Sequence, residues 1–204
     1  VLFYYLTNSV PSLKLQSLLF EQVILLSKRL EYFGNKTGNH IINNARAMYL
    51  YAIAFNNKNI ATLAKQIINN DYDILVSPDG FLREGSSHYQ FLFTRWILEL
   101  YIFSNIVNDR NFSSFLKKRL KLLLIGCNYF YVNKSESDRI IPFFGDISPD
   151  CKPEWLIDID KCKIINSNYL EGPNLKDSWN NLFNNVDTNK FPKIINKNDI
   201  NNNN

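Results

Sequence analysis

The chain has 204 residues, which predicts one domain of ordinary size, and its hydrophobic fraction of 46% predicts a sizeable core. Its net charge is +4, and its densest basic patch lies within one amphipathic stretch, at Lys117, Lys118, Arg119 and Lys121. We interpret this patch as a solvated helix edge, so the charge pattern does not favour a nucleic-acid partner.

Cysteine and histidine are sparse. The three cysteines are Cys127, Cys151 and Cys162, without a CxxC pair, and there are only two histidines. We therefore expect no zinc site and no disulfide scaffold, with Cys127 as a packing residue. We also expect no other metal and no cofactor. No apolar run is long enough for a membrane span, and no signal peptide is visible.

The first half of the chain predicts three helices. In the first, apolar residues step by 4, 3, 4 and 3 positions and share one face, with Gly34 placed to end it: Leu19, Val23, Leu26, Leu30 and Phe33. The second helix repeats this spacing and ends at Asn56-Asn57, with Ile41, Ala45, Met48, Ala52 and Phe55. A third, shorter helix carries Ile60, Leu63, Ala64, Ile67 and Ile68.

The second half begins with a predicted turn, Ser77-Pro78-Asp79-Gly80. A fourth helix follows from near Ser87, with Phe93, Trp96, Leu100 and Phe103 on one face. A fifth helix carries Leu116, Leu120, Leu123, Cys127 and Phe130. Beyond it, Pro142, Gly145, Pro149 and Pro153 predict loops, with short helices near Trp155 and Trp179.

Strand-like alternation of useful length is absent, so we predict an all-α fold of antiparallel helix pairs. Such pairs form a toroid, a solenoid or a bundle, and periodicity does not choose among these. We expect one helical domain over residues 1–184. Residues 185–204 are rich in Asn and poor in apolar residues, which predicts a disordered tail.

Two polar clusters lie at predicted helix starts. In the first, Asn39 is a natural N-cap, and the N–H groups of a helix start also attract anions, so that Asn39 and His40 could bind a carboxylate. The second cluster runs from residue 83 to 90 and is dense in groups that bind or transfer protons. Both histidines of the chain, His40 and His88, fall in these clusters, which favours one shared site.

These segments resemble motifs of the heparinase II/III-like polysaccharide lyases, whose alginate lyase-like members contain an (α/α) toroid. Residues 38–47 resemble the family's Asn-His helix start. Residues 79–90 resemble its second motif, which runs from an Asp-Gly turn through Glu and Ser to Tyr. Residues 144–146 resemble a later Gly-Asp loop. The segments keep the family's order, and the resemblance covers roughly residues 10–160, but Gln90 stands where the family often has His.

The resemblance implies β-elimination on glycans that contain uronic acid. By this likeness Asn39 and His40 neutralise the uronate carboxylate, and Tyr89 transfers protons as acid and, for some substrates, as base. The expected substrate-binding residues are Arg83, Glu84, His88 and Gln90. Arg83 and His88 are also candidates to favour the ionised form of Tyr89, and Glu84 is expected to position its neighbours.

The resemblance also implies an acidic polysaccharide as partner and a periplasmic or secreted location. A mildly basic surface suits such a partner by long-range attraction. Family members carry a β-sandwich region after the toroid, which adds a His or Tyr to the site, and this chain shows none. We therefore expect a piece of a longer lyase, or a degenerate relative, whose site a β-rich region would complete.

Two alternatives remain open at this point. An (α/α)-toroid glycoside hydrolase needs two carboxyl groups at one glycosidic bond, which Glu84 and Asp146 could supply, with Asp79 or Asp150 as substitutes. The turn positions of Asp79 and Asp150 also suit simple turn capping. The other alternative is a non-catalytic helical module that binds acidic glycans.

Overall fold

Five helices of 15 to 20 residues make up most of the described chain, so the all-α prediction is confirmed. The computed structural model describes residues 10–135, 138–147 and 153–156. It divides between Tyr72 and Asp73 into two compact units, each of which is described by itself. The closure of the helix pairs into a toroid stays a prediction.

The first unit contains helix α1 (Leu13–Lys28), a 3₁₀ turn (Gly34–Lys36), helix α2 (His40–Ala54) and most of helix α3 (Lys58–Leu75). Helices α1 and α2 pack against each other. Four of the five residues of the predicted apolar face of α2 are buried, and the fifth, Phe55, is half-buried just after the helix. Asn56 follows with φ +52°. The second helix is therefore confirmed with nearly the predicted bounds.

Helix α1 begins and ends earlier in the chain than its periodicity predicts, and of the predicted apolar face only Val23 is buried. It ends at Lys28, and Phe33 lies beyond it with its side chain 65% exposed. The chain instead turns so that the Tyr32 hydroxyl donates to Asp71 Oδ2 over 2.7 Å, while the Phe33 N–H donates to Thr37 Oγ1 over 2.9 Å. These two hydrogen bonds hold the chain in a non-helical course after Lys28. The spacing of apolar residues does not report such polar contacts, so it could not predict the end of the helix.

Helix α3 is longer than predicted. The Asn57 side chain accepts a hydrogen bond from the Ile60 N–H over 3.2 Å at its start. Buried apolar residues continue past the predicted stretch through Tyr72 to Leu75. The helix therefore keeps one buried face over 18 residues.

The second unit is built on helices α4 (Ser87–Ile106) and α5 (Arg110–Asn128), which pack closely together. Both buried faces match those predicted from the sequence. The turn before α4 is also confirmed, because the Gly80 N–H donates to the Ser77 carbonyl over 2.9 Å and Gly80 has φ +86°. Cys127 is buried with its Sγ 3.2 Å from Thr94 Oγ1, as expected for a packing residue.

A small hairpin adds two short strands that the sequence pattern did not predict. Strand β1 (Val132–Ser135) pairs antiparallel with β2 (Asp138–Ile140), and the register shifts between Asn133 and Ser135. The strands are short and the register irregular, so they show no alternation that a sequence pattern could reveal.

The expected short helix near Trp155 is present as α6 (Pro153–Leu156), which packs against α4. The expected helix near Trp179 and the tail at 185–204 lie outside the described residues, as do Pro149, Asp150, Cys151 and Cys162. No helix in the described ranges is both long and apolar enough to cross a membrane.

Candidate functional site

The start of α4 is held by the loop at residues 144–146. Ser86 is the N-cap of α4, and its Oγ accepts a hydrogen bond from the Tyr89 N–H over 3.1 Å and donates to the Asp146 carbonyl. The Ser87 N–H donates to the Phe144 carbonyl, and the Phe144 N–H donates to Ser87 Oγ, both over 3.2 Å. Two of the segments singled out in the sequence are therefore hydrogen-bonded to each other.

Gly145 allows the 144–146 loop to lie close to the backbone of Gly85 and Ser86. Its φ is +72°, and a Cβ at this position would lie 2.7 Å from the Gly85 carbonyl oxygen and 2.9 Å from Ser86 Cα. Both neighbours are backbone atoms, which cannot swing aside. A glycine is therefore required here for conformation and for space.

Tyr89 lies in the first turn of α4 and is partly exposed. His88 is buried, and its ring meets the Tyr89 ring edge-on, with centroids 5.5 Å apart and planes at 78°. Arg83 and Glu84 are exposed in the preceding turn, and Asp146 is exposed on the adjoining loop. A phenol at the positive end of a helix dipole can bind an anion and exchange a proton with it.

Gln90 takes a structural position, which corrects its predicted contact with substrate. Its side chain is 1% exposed. Its Oε1 accepts from the Leu82 N–H over 2.8 Å, and its Nε2 donates to the carbonyls of Gly80 over 2.9 Å and Leu123 over 3.4 Å. The amide is thus engaged by backbone groups in the interior, and solvent does not reach it.

Gly126 was not predicted from the sequence, although the packing of α5 against the turn at residues 77–80 requires a glycine there. A Cβ at Gly126 would lie 2.3 Å from the Gly80 carbonyl oxygen, and a Cβ at Gly80 would lie 2.0 Å from the Leu122 carbonyl oxygen. The turn at residues 77–80 therefore touches the backbone of α5. A glycine within an amphipathic helix was the available signal, because glycine weakens a helix unless close packing needs it.

Asn39 and His40 lie in the first unit, whereas Tyr89 lies in the second. Asn39 occupies the N-cap position of α2, but its side chain makes no capping hydrogen bond. Its backbone is already helical, with φ −62° and ψ −22°, whereas a capping side chain usually needs an extended backbone. The capping interpretation of Asn39 is therefore wrong, and its side chain is buried instead.

His40 is exposed, and its Nδ1 lies 2.8 Å from Glu31 Oε2. Glu31 was missed from the sequence, since it precedes the cluster by nine residues and lies outside the helix. A carboxylate ligand at His40 would approach the other ring nitrogen and would meet the charge of Glu31. The prediction that His40, Asn39 and Tyr89 share one site stays a prediction.

An aromatic pocket of about 320 Å³ lies beside the start of α4, in the second unit. Its lining includes Gly85 and the rings of Phe81, Tyr129, Phe130 and Phe144. The centroid of the Phe81 ring is 5.7 Å from that of Tyr129, and the Phe130 and Phe144 rings stack at 5.1 Å. This pocket was not predicted, because its walls come from three separate parts of the chain.

A buried ion pair inside α4 was also missed. Arg95 Nε lies 2.9 Å from Glu99 Oε1, both side chains are about 5% exposed or less, and Arg95 also donates to the Leu156 carbonyl over 2.8 Å. Opposite charges four residues apart within an apolar helix were the available signal. Among the described residues, no group of His, Cys, Asp and Glu side chains could hold a metal ion.

Comparison with known proteins gave no relative for this chain. No family model, no curated protein and no solved structure matches it. The geometry of the α4 start and the resemblance of three short segments therefore carry the proposed function.

Proposed function

We propose that the protein is a polysaccharide lyase that cleaves uronic-acid-containing glycans by β-elimination. The observation that supports this proposal best is the docking of the 144–146 loop on Ser86 and Ser87, at the helix start that carries Tyr89. It joins two of the three lyase-like segments at the helix start that carries the partly exposed Tyr89.

In the proposed reaction, a base removes the proton at C5 of the uronate. The C5–H electron pair becomes the C4–C5 double bond, the C4–O bond breaks, and an acid protonates the departing oxygen. Tyr89 is the proposed acid, and for some substrate stereochemistries also the base. The N-terminal dipole of α4 and the exposed Arg83 of the preceding turn would favour an anionic substrate.

The C5 proton is very weakly acidic while the neighbouring carboxylate is ionised, so the site must neutralise that charge. Asn39 and His40 are the proposed neutralising residues, with the exposed Arg83 and Glu84 as further substrate contacts. His88 is buried against the Tyr89 ring, so its proposed role is to position Tyr89. A β-rich region is proposed to complete the site, and the helix pairs are proposed to belong to a toroid. An acidic polysaccharide substrate also implies a periplasmic or secreted enzyme.

The test is the Tyr89→Phe variant, assayed on a panel of polyuronates by the ultraviolet absorbance of the unsaturated product. We expect at least a hundredfold loss of rate, because removal of a proton-transferring group typically has this effect. Tyr101→Phe, which alters a half-buried tyrosine of the same helix, is the matched control and should retain the wild-type rate. Equal rates in Tyr89→Phe and wild type would exclude Tyr89 as the proton carrier.

The same loop contact gives some support to a glycoside hydrolase. It places exposed Asp146 next to the helix start that follows exposed Glu84, so two carboxyl groups lie in one region. A hydrolase would release reducing ends without ultraviolet absorbance and would be inactivated by Glu84→Gln and Asp146→Asn. Glycan binding without either product would indicate a non-catalytic module.

A further inference from the structure

The solvent face of α5 carries a stripe that changes from basic to apolar along the helix. Lys118, Leu122, Ile125 and Tyr129 step by 4, 3 and 4 positions, so they share one face, and all four are exposed. Lys121 lies beside this stripe, one turn beyond Lys118. From Lys118 to Tyr129 the stripe extends for about 16 Å.

The lysines at the basic end keep their charge available. No described residue forms an ion pair with Lys117, Lys118 or Lys121. Arg119 differs, since it pairs with Asp73 over 2.9 Å and lies 3.6 Å above the Phe115 ring. Three positive charges therefore face solvent at one end of the stripe without a carboxylate partner in the described part of the chain.

The apolar end leads into the aromatic pocket. Tyr129 is 73% exposed and lines the pocket together with Phe81. Gly85 and Phe144, which also line it, belong to the segments that meet at the start of α4. The stripe thus leads from the lysines of α5 across an apolar surface to the pocket beside the start of α4.

We infer that the α5 stripe and the aromatic pocket form an extended binding surface for an anionic glycan, with the lysines contacting its carboxylates and the pocket holding a sugar ring. Charge complementarity selects an anionic occupant. An anionic glycan carries both negative charges and sugar-ring faces along its length. Such a polymer can contact the lysines at one end of the surface and the aromatic rings at the other. The identity of the occupant as a glycan rests on the proposed function.

The test compares two variants that remove the same charge. Lys117→Gln/Lys118→Gln/Lys121→Gln removes three positive charges from α5, and Lys14→Gln/Lys28→Gln/Lys58→Gln removes three from exposed positions in the first unit. Glutamine keeps good helix propensity, so both variants should fold. Binding of alginate oligosaccharides is measured at low and high salt, in the Tyr89→Phe background so that cleavage does not interfere.

We expect the α5 variant to weaken binding about tenfold at low salt and to reduce its salt dependence. The control variant should bind within about twofold of its parent. Tyr129→Ala should weaken binding about fivefold with unchanged salt dependence, because it removes ring contact without removing charge. Equal losses in the two triple variants, or unaltered binding in Tyr129→Ala, would overturn the inference.

Two further probes identify the class of partner. Single-stranded DNA of matched charge and vesicles containing anionic lipid should bind more weakly than alginate, and tighter α5-dependent binding of either would overturn the glycan assignment. If wild type makes no unsaturated product yet binds alginate through α5, the proposed function fails and this inference stands. If product forms and the α5 variant has the KM of wild type, the inference fails and the function stands.

Discussion

The Gln90 side chain is buried between the turn at residues 77–80 and helices α4 and α5, and it hydrogen-bonds to three backbone groups. One amide thus satisfies a donor and two acceptors that water cannot reach. Buried polar groups left without partners are costly, so this single side chain holds the turn in place.

We predict that Gln90→Leu lowers the free energy of unfolding by about 3 kcal/mol, because it removes the partner of the buried Leu82 N–H and of the Gly80 carbonyl. Urea unfolding followed by circular dichroism measures the change. Gln66→Leu is the matched control, since Gln66 is exposed on α3, and it should shift stability by no more than about 0.5 kcal/mol. A loss in Gln90→Leu as small as in the control would refute the structural role.

At the scale of elements, the joint between the 144–146 loop and the start of α4 is the feature that the proposed site depends on. The loop is joined by hydrogen bonds at Ser86 and Ser87 and by the close approach of Gly145 to Gly85. The loop and the helix start are separated by more than fifty residues. Anything that separates them should release the loop while leaving the helix pair packed.

We predict that Gly145→Ala detaches this loop, because its Cβ would collide with backbone and its φ of +72° disfavours alanine. Hydrogen exchange should become at least tenfold faster at the Ser87 and Phe144 amides, which bridge the joint. Gly34→Ala is the matched control, since Gly34 has φ +58° with nothing within 4 Å. It carries the conformational penalty alone and should leave those two amides unchanged, and faster exchange there in the control would contradict this account.

At the scale of the whole molecule, one hydrogen bond links stability to alkaline pH. Burial, the hydrogen bond to Asp71 and the charge of Asp71 raise the pKa of Tyr32 to about 12. In the unfolded chain the tyrosine pKa is about 10. The unfolded chain therefore releases this proton first, and the stabilisation from Tyr32 is complete below about pH 10 and lost as the pH rises toward 12.

We predict that wild type loses more stability than Tyr32→Phe between about pH 10 and pH 12, as measured by urea unfolding at each pH. Asp71→Asn should lower the pKa of Tyr32. This pKa is measured by ultraviolet titration, as the difference between a variant that contains Tyr32 and the same variant with Tyr32→Phe. Tyr51 is the internal control, because burial alone raises its pKa, so Asp71→Asn should not affect it. Parallel pH profiles for wild type and Tyr32→Phe would contradict the raised pKa.

The amino-acid sequence by itself determined the all-α class, the buried faces of α2, α4 and α5, and the turn at residues 77–80. These features are local, since helical periodicity and turn residues act within a few positions. The same local signals place Ser86 at a helix start and mark residues 83–90 as a polar cluster. The sequence therefore predicted which segments carry the polar and ionisable side chains of the candidate site.

Only the tertiary structure decided how those groups are used. Helix α1 ends at Lys28, and the chain beyond it is held by the hydrogen bond from Tyr32 to Asp71, thirty-nine residues away. Gln90 faces the interior, and Phe144 and Gly145 meet the start of α4 from more than fifty residues downstream. Such contacts join distant positions by packing and hydrogen bonding, which no local pattern records, so the docking of that loop beside Tyr89 could be found only in the folded chain.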